Sequence, residues 1–477
     1  MSAPPAIVWL RHDLRVTDHG PLHTAVKAHG GNVIPIFVMS SWTGAHRWTG
    51  EPRQRFLCGC LDSLAMNLEQ LGGRLILRTG DAAEELDQLM EEAGATSIYY
   101  HRDPDPFGRA MEAKVTAVAK RRGVDLHGSW DVNVHPPELV LNGEGKPYRV
   151  YSPFGRAWNK VKIGAPLARP SKLATPVGLR SDPLPDVSHW GLKTDAKIRI
   201  LEPGERQARR RLRDFLAGPA ARYSDGRNTP FGQTTSRLSQ DLRFGTVSAR
   251  DVVVRAREHG RGQPAAARSS IDKFVAEVVW RDFYLQLLWH FPEVLEQEFN
   301  ADYRGLPWRH DDAAFRCWCS GETGFPFVDA GMRELNATGF MHNRVRMVVS
   351  MFLTKDLHLD WRLGESYFMQ RLVDGEIASN NGGWQWSAGC GADAAPYFRI
   401  QNPWTQGGRY DADAAYIKQW VPELKDVPSA KLHQPPESGS RFAKDYPPPM
   451  VDHAQERDET MRIYSEHLAK TRSRLDD

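Results

Sequence analysis

Short apolar runs alternate with amphipathic stretches along the opening part of the chain, and this rhythm sets its architecture. Ala6–Leu10, Val33–Val38, Leu75–Leu77, Ser97–Tyr100 and, more weakly, Asp125–His127 read as buried strands. Between them, Arg53–Leu71, Ala82–Ala93 and Arg109–Arg122 repeat apolar residues at the spacing of a helix with one buried face. Such strand–helix alternation predicts a doubly wound parallel α/β sheet of Rossmann-like form. No G-x-G-x-x-G follows a strand, so a dinucleotide site in the sheet is not supported. The crevice beyond the C-terminal ends of the strands is the expected ligand position.

From Val132 to about Leu201 the chain turns to proline, glycine and short polar clusters, the composition of a long connector. After Glu205 the strand pattern stops. Arg206–Leu216, Ala249–Glu258, Ile271–His290, Val328–Thr338, Asn343–Asp356 and Glu365–Val373 all read as helices, so the second half is all-α. Beyond Gln434 the chain is charged and proline-rich, with one more helix expected over Gln455–Thr471. The division is therefore 1–131 for the α/β domain, 132–200 for the connector, 201–434 for the helical domain and 435–477 for a charged extension.

Charge changes this picture little. The net charge is only +3, so a nucleic-acid site would have to be a local patch. The R-R-R-L-R run at Arg209–Arg213 reads as a solvated helix face, since a charge run alone is weak evidence. Fifteen tryptophans exceed what core packing demands, which raises stacking surfaces or electron relays beside the plainer reading of an aromatic core. The cysteines, Cys58, Cys60, Cys317, Cys319 and Cys390, are odd in number and lack C-x-x-C spacing. Cys58 and Cys60 would point to opposite sides of a helix, so all five read as reduced thiols and no metal site is expected. The N-terminal apolar run is too short for a signal peptide and no run is long enough to span a membrane. A cytoplasmic monomer is the expectation.

Four strings carry chemistry. The first, D-G-E-I-A-S-N-N-G-G-W-Q-W at Asp374–Trp386, reads as a helix end or turn at its Asn-Asn-Gly-Gly. Its two tryptophans are too close in sequence to share a helical face, so they should serve different neighbours. The second is E-V-V-W-R-D-F-Y at Glu277–Tyr284. Spacing puts Glu277, Trp280, Arg281 and Tyr284 on one face of a helix. Unpaired charge on a core face is costly, so the choice lies between a Glu277–Arg281 surface pair and a pocket wall. As a wall, Trp280 would stack on a flat ligand, Glu277 would bond a base edge and Arg281 would meet a phosphate. The third is G-F-M-H-N-R-V-R-M at Gly339–Met347, with Asn343, Arg346 and Met347 together on a helix. The fourth, T-S-R-L-S, sets Thr235, Ser236, Arg237, Leu238 and Ser239 in a row. Alone it is a helix-cap signal; its hydroxyls and guanidinium also suit phosphates.

In this order and spacing the four strings resemble the catalytic domain of the DNA photolyase/cryptochrome family, and closest among them the bacterial enzymes for cyclobutane pyrimidine dimers. K-P-Y-R-V-Y-S-P-F-G-R-A-W, within the connector, resembles the start of that family's interdomain segment. The resemblance covers nearly the whole chain. It implies an N-terminal domain for an antenna chromophore, a helical FAD-binding domain, and light-driven repair of UV-damaged DNA. It assigns Tyr223 and Thr235–Ser239 to the FAD phosphates, and Arg281, Glu376 and an Arg346–Asp374 pair to the flavin surroundings. Asn380 matches the residue facing flavin N5, where light-signalling plant cryptochromes carry Asp; Asn favours repair. Glu376 departs from the family's usual Asp. Glu277, Trp280, Asn343, Met347 and Trp386 match the lesion pocket, with Arg227, Arg281 and Arg344 toward DNA phosphates. Trp384, Trp361 and Trp308 match a chain that carries electrons to the flavin. Enzymes for (6-4) photoproducts carry a second histidine after the one matching His342; here Asn343 stands there. Gly108 falls near a position where folate-binding relatives have Glu, which leaves the antenna open between methenyltetrahydrofolate, 8-hydroxy-deazaflavin and an empty site.

Overall fold

Five parallel strands lie in the order β3-β2-β1-β4-β5: β1 (Ala6–Leu10), β2 (Val33–Met39), β3 (Ile76–Thr79), β4 (Ser97–His101) and β5 (Asp125–Ser129). The structure is a computed structural model and describes residues 3–476 apart from positions 45, 233, 395 and 438. β1 is buried along its whole length, and its side chains divide by the two-residue period of a strand. Ala6, Val8 and Leu10 join one hydrophobic cluster with the helices Gly20–Ala28 and Glu51–Glu69. Ile7 and Trp9 join another with Ala82–Ala93 and Pro106–Arg122. Helices on both faces are why these strands read as continuous apolar runs rather than alternating ones. The helix at Gly20–Ala28 has little periodicity to announce it; Pro21 in its first turn and the His19 cap are its signals.

The winding reverses between β1 and β4, the position where an open α/β sheet holds its ligand. That crevice does not stand open here. The Leu14 amide donates to the Phe244 carbonyl at 3.1 Å. Gly245, at φ +63°, comes so close that a Cβ would lie 2.0 Å from the His12 carbonyl oxygen. Arg243 reaches His12 Nδ1 at 2.8 Å and donates to the Gly375 carbonyl at 2.9 Å. The ends of the central strands thus serve as a floor for the helical half.

That half contains the helices expected, with boundaries moved by capping and packing. The helix Trp361–Arg371 begins earlier than periodicity suggests because the Asp360 carboxylate caps the Arg362 amide. Asn343–Met351 does not run on as α-helix; a π-helical turn follows at Phe352–Asp356 and buries Lys355. Within the proline-rich connector, Tyr151–Trp158 is a helix whose Phe154 and Trp158 join the core around the long helix Ala265–His290. The C-terminal helix is longer than its periodicity shows, His453–Asp476, and its Tyr464 hydroxyl donates to the Ala388 carbonyl at 2.7 Å.

One expectation is overturned. Asn380, Asn381, Gly382 and Gly383 do not end a helix; they lie inside Ile377–Ala388. Local propensity is overridden by packing. A Cβ on Gly382 would stand 2.2 Å from the Tyr284 ring, so glycine lets this helix press onto the long one. The Asn381 amide is consumed inside, donating to Val294 O (3.0 Å) and Glu365 Oε1 (3.1 Å). The helix ends later, at Gly389 with φ +83°. No helix among the described residues is long and apolar enough to cross a membrane.

Candidate functional site

A cavity of about 510 Å³ opens between the long helix, Asn343–Met351 and Ile377–Ala388. It brings together nearly every residue the four strings single out. Tyr223, Ser236, Leu238 and Ser239 stand on one wall, and Arg346, Asp374, Glu376, Asn380 and Trp384 on another. Glu277, Trp280, Arg281, Asn343, Met347 and Trp386 complete it, with Arg227 and Arg344 among them. Thr235, Arg237, Trp361 and Trp308 are not in the lining.

Ion pairs fix this wall, though not the pairs the spacing suggests. Glu277 does not pair with Arg281. It takes Arg227 at 2.5 Å, while Arg281 takes Glu376 at 2.7 Å. Burial pushes the Glu277 carboxyl up, and Arg227 partly offsets this. Arg281 also donates to the Val132 and Leu242 carbonyls and is largely buried. Its guanidinium is thus committed to the protein, which corrects the reading of Arg281 as a phosphate contact. Arg227, half-buried in the cavity lining, has Glu277 as its ion-pair partner. Glu376, a methylene longer than the family's aspartate, holds Arg281 with one oxygen and accepts from the Ser379 hydroxyl with the other, at 2.5 Å. Arg346 and Asp374 pair at 2.9 Å.

The Asn380 amide nitrogen donates to the Glu365 carbonyl at 3.1 Å, which fixes the end of the amide that can turn to a ligand. Glu365 is itself buried and receives Arg47 from the α/β half at 3.0 Å. Trp384 and Trp386 both line the cavity, and of the two only Trp384 is buried. Trp384 is buried over Gly364, where a Cβ would lie 2.0 Å from the indole, and Phe368 meets its edge at 5.0 Å. Trp384, Trp361 and half-buried Trp308 share one hydrophobic cluster. Trp361 stands three residues before Gly364 on the same helix.

Some contributors escaped the sequence reading. Tyr151 stacks on Trp280 at 3.7 Å and 4°, so only one face of that indole is left for a ligand. Its signal was present in the connector string. Asn228 accepts from Arg344 at 2.6 Å, and Tyr410 lies 4.7 Å beneath the same guanidinium. Nothing local in the sequence marks Tyr410. Phe340 stacks under Arg237 at 3.6 Å.

The residues present suit a large, flat, anionic cofactor. Arg237 is held at φ +51° with its buried Nε unpartnered, and His342 Nε2 is buried and unpartnered too. Buried donors left in that state call for acceptors. Known proteins agree with this. A family model described as DNA photolyase matches residues 6–172, and one described as FAD binding domain of DNA photolyase matches residues 274–466. A deoxyribodipyrimidine photo-lyase of Synechococcus sp. is 37% identical over 473 residues, covering 97% of each chain. That of Agrobacterium fabrum is 39% identical, covering 98% of each. The chain belongs to the DNA photolyase family.

Solved photolyase-family structures share the fold. A bacterial class III photolyase from Agrobacterium tumefaciens superposes with a TM-score of 0.90 at 37% identity, over 98% of both chains. A Synechocystis cryptochrome follows at 0.88 and 30% identity, over 97% of this chain and 100% of its own. An archaeal photolyase from Sulfolobus tokodaii, described with two FAD molecules and a novel light-harvesting cofactor, gives 0.83 at 29%, over 97% and 100%. The helical half here is therefore a photolyase-type FAD-binding domain.

Two acid–histidine groups outside the cavity, His12–Asp103–Asp105 and Asp13–His19–Asp131, have their atoms close together. Each already holds a guanidinium, Arg243 on His12 and Arg15 on Asp131, which opposes a cation.

His342 gives the site a measurable pH dependence. Burial, with Arg346 and Arg344 nearby, lowers it from 6.5 to about 4, and neutral Nδ1 caps the Arg344 amide at 3.2 Å. The folded value lies below the unfolded one, so the stabilisation is present above 6.5 and is lost as pH falls through 4. At ~1.4 kcal/mol per pH unit its full size is about 3 kcal/mol. His342→Asn keeps a capping acceptor without titrating. Urea midpoints measured near neutrality and near pH 4 should fall further for the natural chain than for this variant. Equal falls would place the acid sensitivity elsewhere.

Proposed function

We propose that this chain repairs cyclobutane pyrimidine dimers in DNA, driven by light absorbed by reduced FAD. The supporting observation is that one cavity joins two unlike surfaces. Arg346–Asp374, Asn380 and Trp384 suit a flavin, while Trp280, Glu277, Asn343, Met347 and Trp386 suit an extruded base pair. Bound reduced FAD would supply the excitation and a transferable electron. The protein's part is placement and charge. Asn380 presents a neutral amide, which cannot hand over a proton as an acid would. Arg346 and Asp374 lie ready to balance charge on the ring. Ser236, Ser239 and Tyr223, with Arg237 behind them, are assigned to the phosphates. Glu277, half-buried and paired to Arg227, stabilises charge that develops on the dimer. A damaged pair is cheaper to extrude than a sound one, which favours its entry.

Asn343 where (6-4) enzymes carry a second histidine supports the cyclobutane lesion. The likeness to a cryptochrome keeps a signalling photoreceptor as the competing reading, and Asn380 opposes it. A second chromophore, methenyltetrahydrofolate or 8-hydroxy-deazaflavin, belongs to the same proposal. A Cβ on Gly108 would lie 2.4 Å from the Asp103 side chain, so a larger residue there would have to displace Asp103. Nearby, exposed Phe107 packs on Trp48 and Arg109 lies 4.2 Å over Trp289, forming an aromatic patch suited to a flat ring.

The test is repair by protein reconstituted with FAD and reduced chemically, on oligonucleotides carrying one or the other lesion. Blue light should restore pyrimidines from the cyclobutane dimer, and darkness should not. Activity on the (6-4) lesion alone, or light-induced change in the protein with no repair, would overturn the proposal. The absorption spectrum of the purified protein identifies the second chromophore.

A further inference from the structure

The arginine run on the helix Glu205–Ala217 is not a uniform solvated face. Arg211 is structural: its guanidinium takes the buried Asp241 carboxylate at 2.6 and 2.9 Å. The other members turn the opposite way. Arg206, Arg209, Arg210 and Arg213 line a groove of about 850 Å³, and Arg169 closes it from the connector. Along the helix they recur at three- and four-residue intervals, a stripe about 10 Å long.

Cations outnumber acids in the groove: Asp251 and Glu258 also line it, but Asp251 is buried and paired with Arg255 at 2.7 Å, and Glu258 is the one exposed carboxylate of the lining. Arg209 bonds only the Thr17 hydroxyl, at 3.1 Å, and Arg169 bonds the Asn67 carbonyl and Gln70. Arg206 has no ion-pair partner among the described residues. Arg210 and Arg213 share one exposed carboxylate, Asp214. Glu205 also lines the groove but is buried, with both oxygens accepting from the Val16 and Thr17 amides. With six arginines against three carboxylates in its lining, the groove is net positive in a chain whose net charge is only +3.

Its walls narrow the choice of ligand. No Trp, Tyr or Phe lines it, so it offers no platform for a base or a flat ring. Exposed arginine forks without base-reading groups are a contact for phosphate backbone. The groove also lies apart from the lesion cavity. Leu212 and Leu216 line the groove and Tyr223 and Phe274 line the cavity, and all four belong to the one hydrophobic cluster between them.

We propose that the groove binds the phosphate backbone of a second duplex segment, independent of any lesion and distinct from the segment in the cavity. This rests on DNA being the cavity's partner. A chain so equipped can hold one segment while inspecting another.

The test uses two short duplexes, each too short to wrap the protein, one carrying a dimer and one intact, with different fluorophores. The natural chain should form a ternary complex at low salt. With three phosphate contacts, affinity for the intact duplex should fall roughly 40-fold between 50 and 200 mM salt, at a slope near 0.9 per contact. The triple variant Arg206→Glu/Arg209→Glu/Arg213→Glu should lose the ternary complex while its affinity for the damaged duplex and its repair per photon stay within about twofold. Arg206→Glu alone, at a side chain with no protein partner, should weaken the second duplex in the same direction and guards against misfolding of the triple variant. Absence of a ternary complex with the natural chain, an unchanged one in the triple variant, or equal loss of both duplexes overturns the second site. So does tripolyphosphate binding in the groove without any duplex binding. Failure to bind even the damaged duplex would instead defeat the proposed function.

Discussion

Trp384→Phe should abolish light-driven reduction of oxidised flavin while leaving repair by chemically reduced protein largely intact. The indole lines the cavity, yet it is 2% exposed and shares one hydrophobic cluster with Trp361 and half-buried Trp308. A donor placed there can meet a flavin on one side and be refilled from the other. Phenylalanine keeps a ring but is far harder to oxidise, so the photoreduction rate should fall at least about a hundredfold, the equivalent of ~2.7 kcal/mol of barrier. The smaller ring should cost about 1–2 kcal/mol of stability, the low end for trimming a buried side chain. Trp318 complicates the assignment, because it stands 6.0 Å from Trp384 and is also buried. Trp318→Phe should leave photoreduction within a fewfold of the natural chain. The readout is flavin absorbance under blue light with an external reductant, beside repair by pre-reduced protein. If Trp384→Phe also destroys pre-reduced repair, Trp384 shapes the pocket rather than feeding electrons. If Trp318→Phe blocks photoreduction as strongly, the route runs through Trp318.

The parts of this architecture set by periodicity were legible from the residues, and the parts set by partners were not. Ala82–Ala93 coincides with its apolar pattern because every inward position packs on the sheet. Ile377–Ala388 could not be read that way. Its Asn-Asn-Gly-Gly is poor helix sequence, and it becomes helical because Tyr284, Val294 and Glu365 lie where glycines and amides are needed. The same holds for charge. Helical spacing correctly put Glu277 and Arg281 on one face, yet each pairs with a residue from elsewhere, Arg227 and Glu376, which spacing cannot show. The strand-end crevice was a sound expectation for an isolated sheet. It is partly covered here because a second half, which the sheet pattern says nothing about, seats Arg243 and Gly245 on it. Tyr410 and Asn228 behind Arg344 belong to the same class of long-range contacts.

Trp280→Ala should erode the preference for damaged DNA, whereas Arg344→Ala should weaken all DNA alike. Trp280 is backed by Tyr151 at 3.7 Å, so it is held as one rigid stacking surface with its free face in the cavity. Stacking of this kind contributes ~1–3 kcal/mol per base, so removal should lower the ratio of damaged to undamaged affinity by roughly five- to a hundredfold. Trp280→Phe should restore part of it. Arg344 contacts no base-like surface. It is braced by Asn228 and Tyr410 and lines the cavity, an arrangement that can offer a guanidinium to a phosphate. Its loss should lower affinity for both duplexes by the same factor and flatten the salt slope by about 0.9. Glu277→Gln should act on a third quantity. Binding should change little, but splitting per absorbed photon should fall, because a neutral amide beside Arg227 would no longer set the charge facing the dimer. The three effects separate cleanly when binding to damaged and intact duplexes is measured across a salt series and repair yield is taken under blue light. Equal loss for both DNAs in Trp280→Ala would move the lesion off this wall. A lesion-selective loss in Arg344→Ala would make that arginine a reader of the dimer, and an unchanged photon yield in Glu277→Gln would leave the carboxylate with only its structural bond to Arg227.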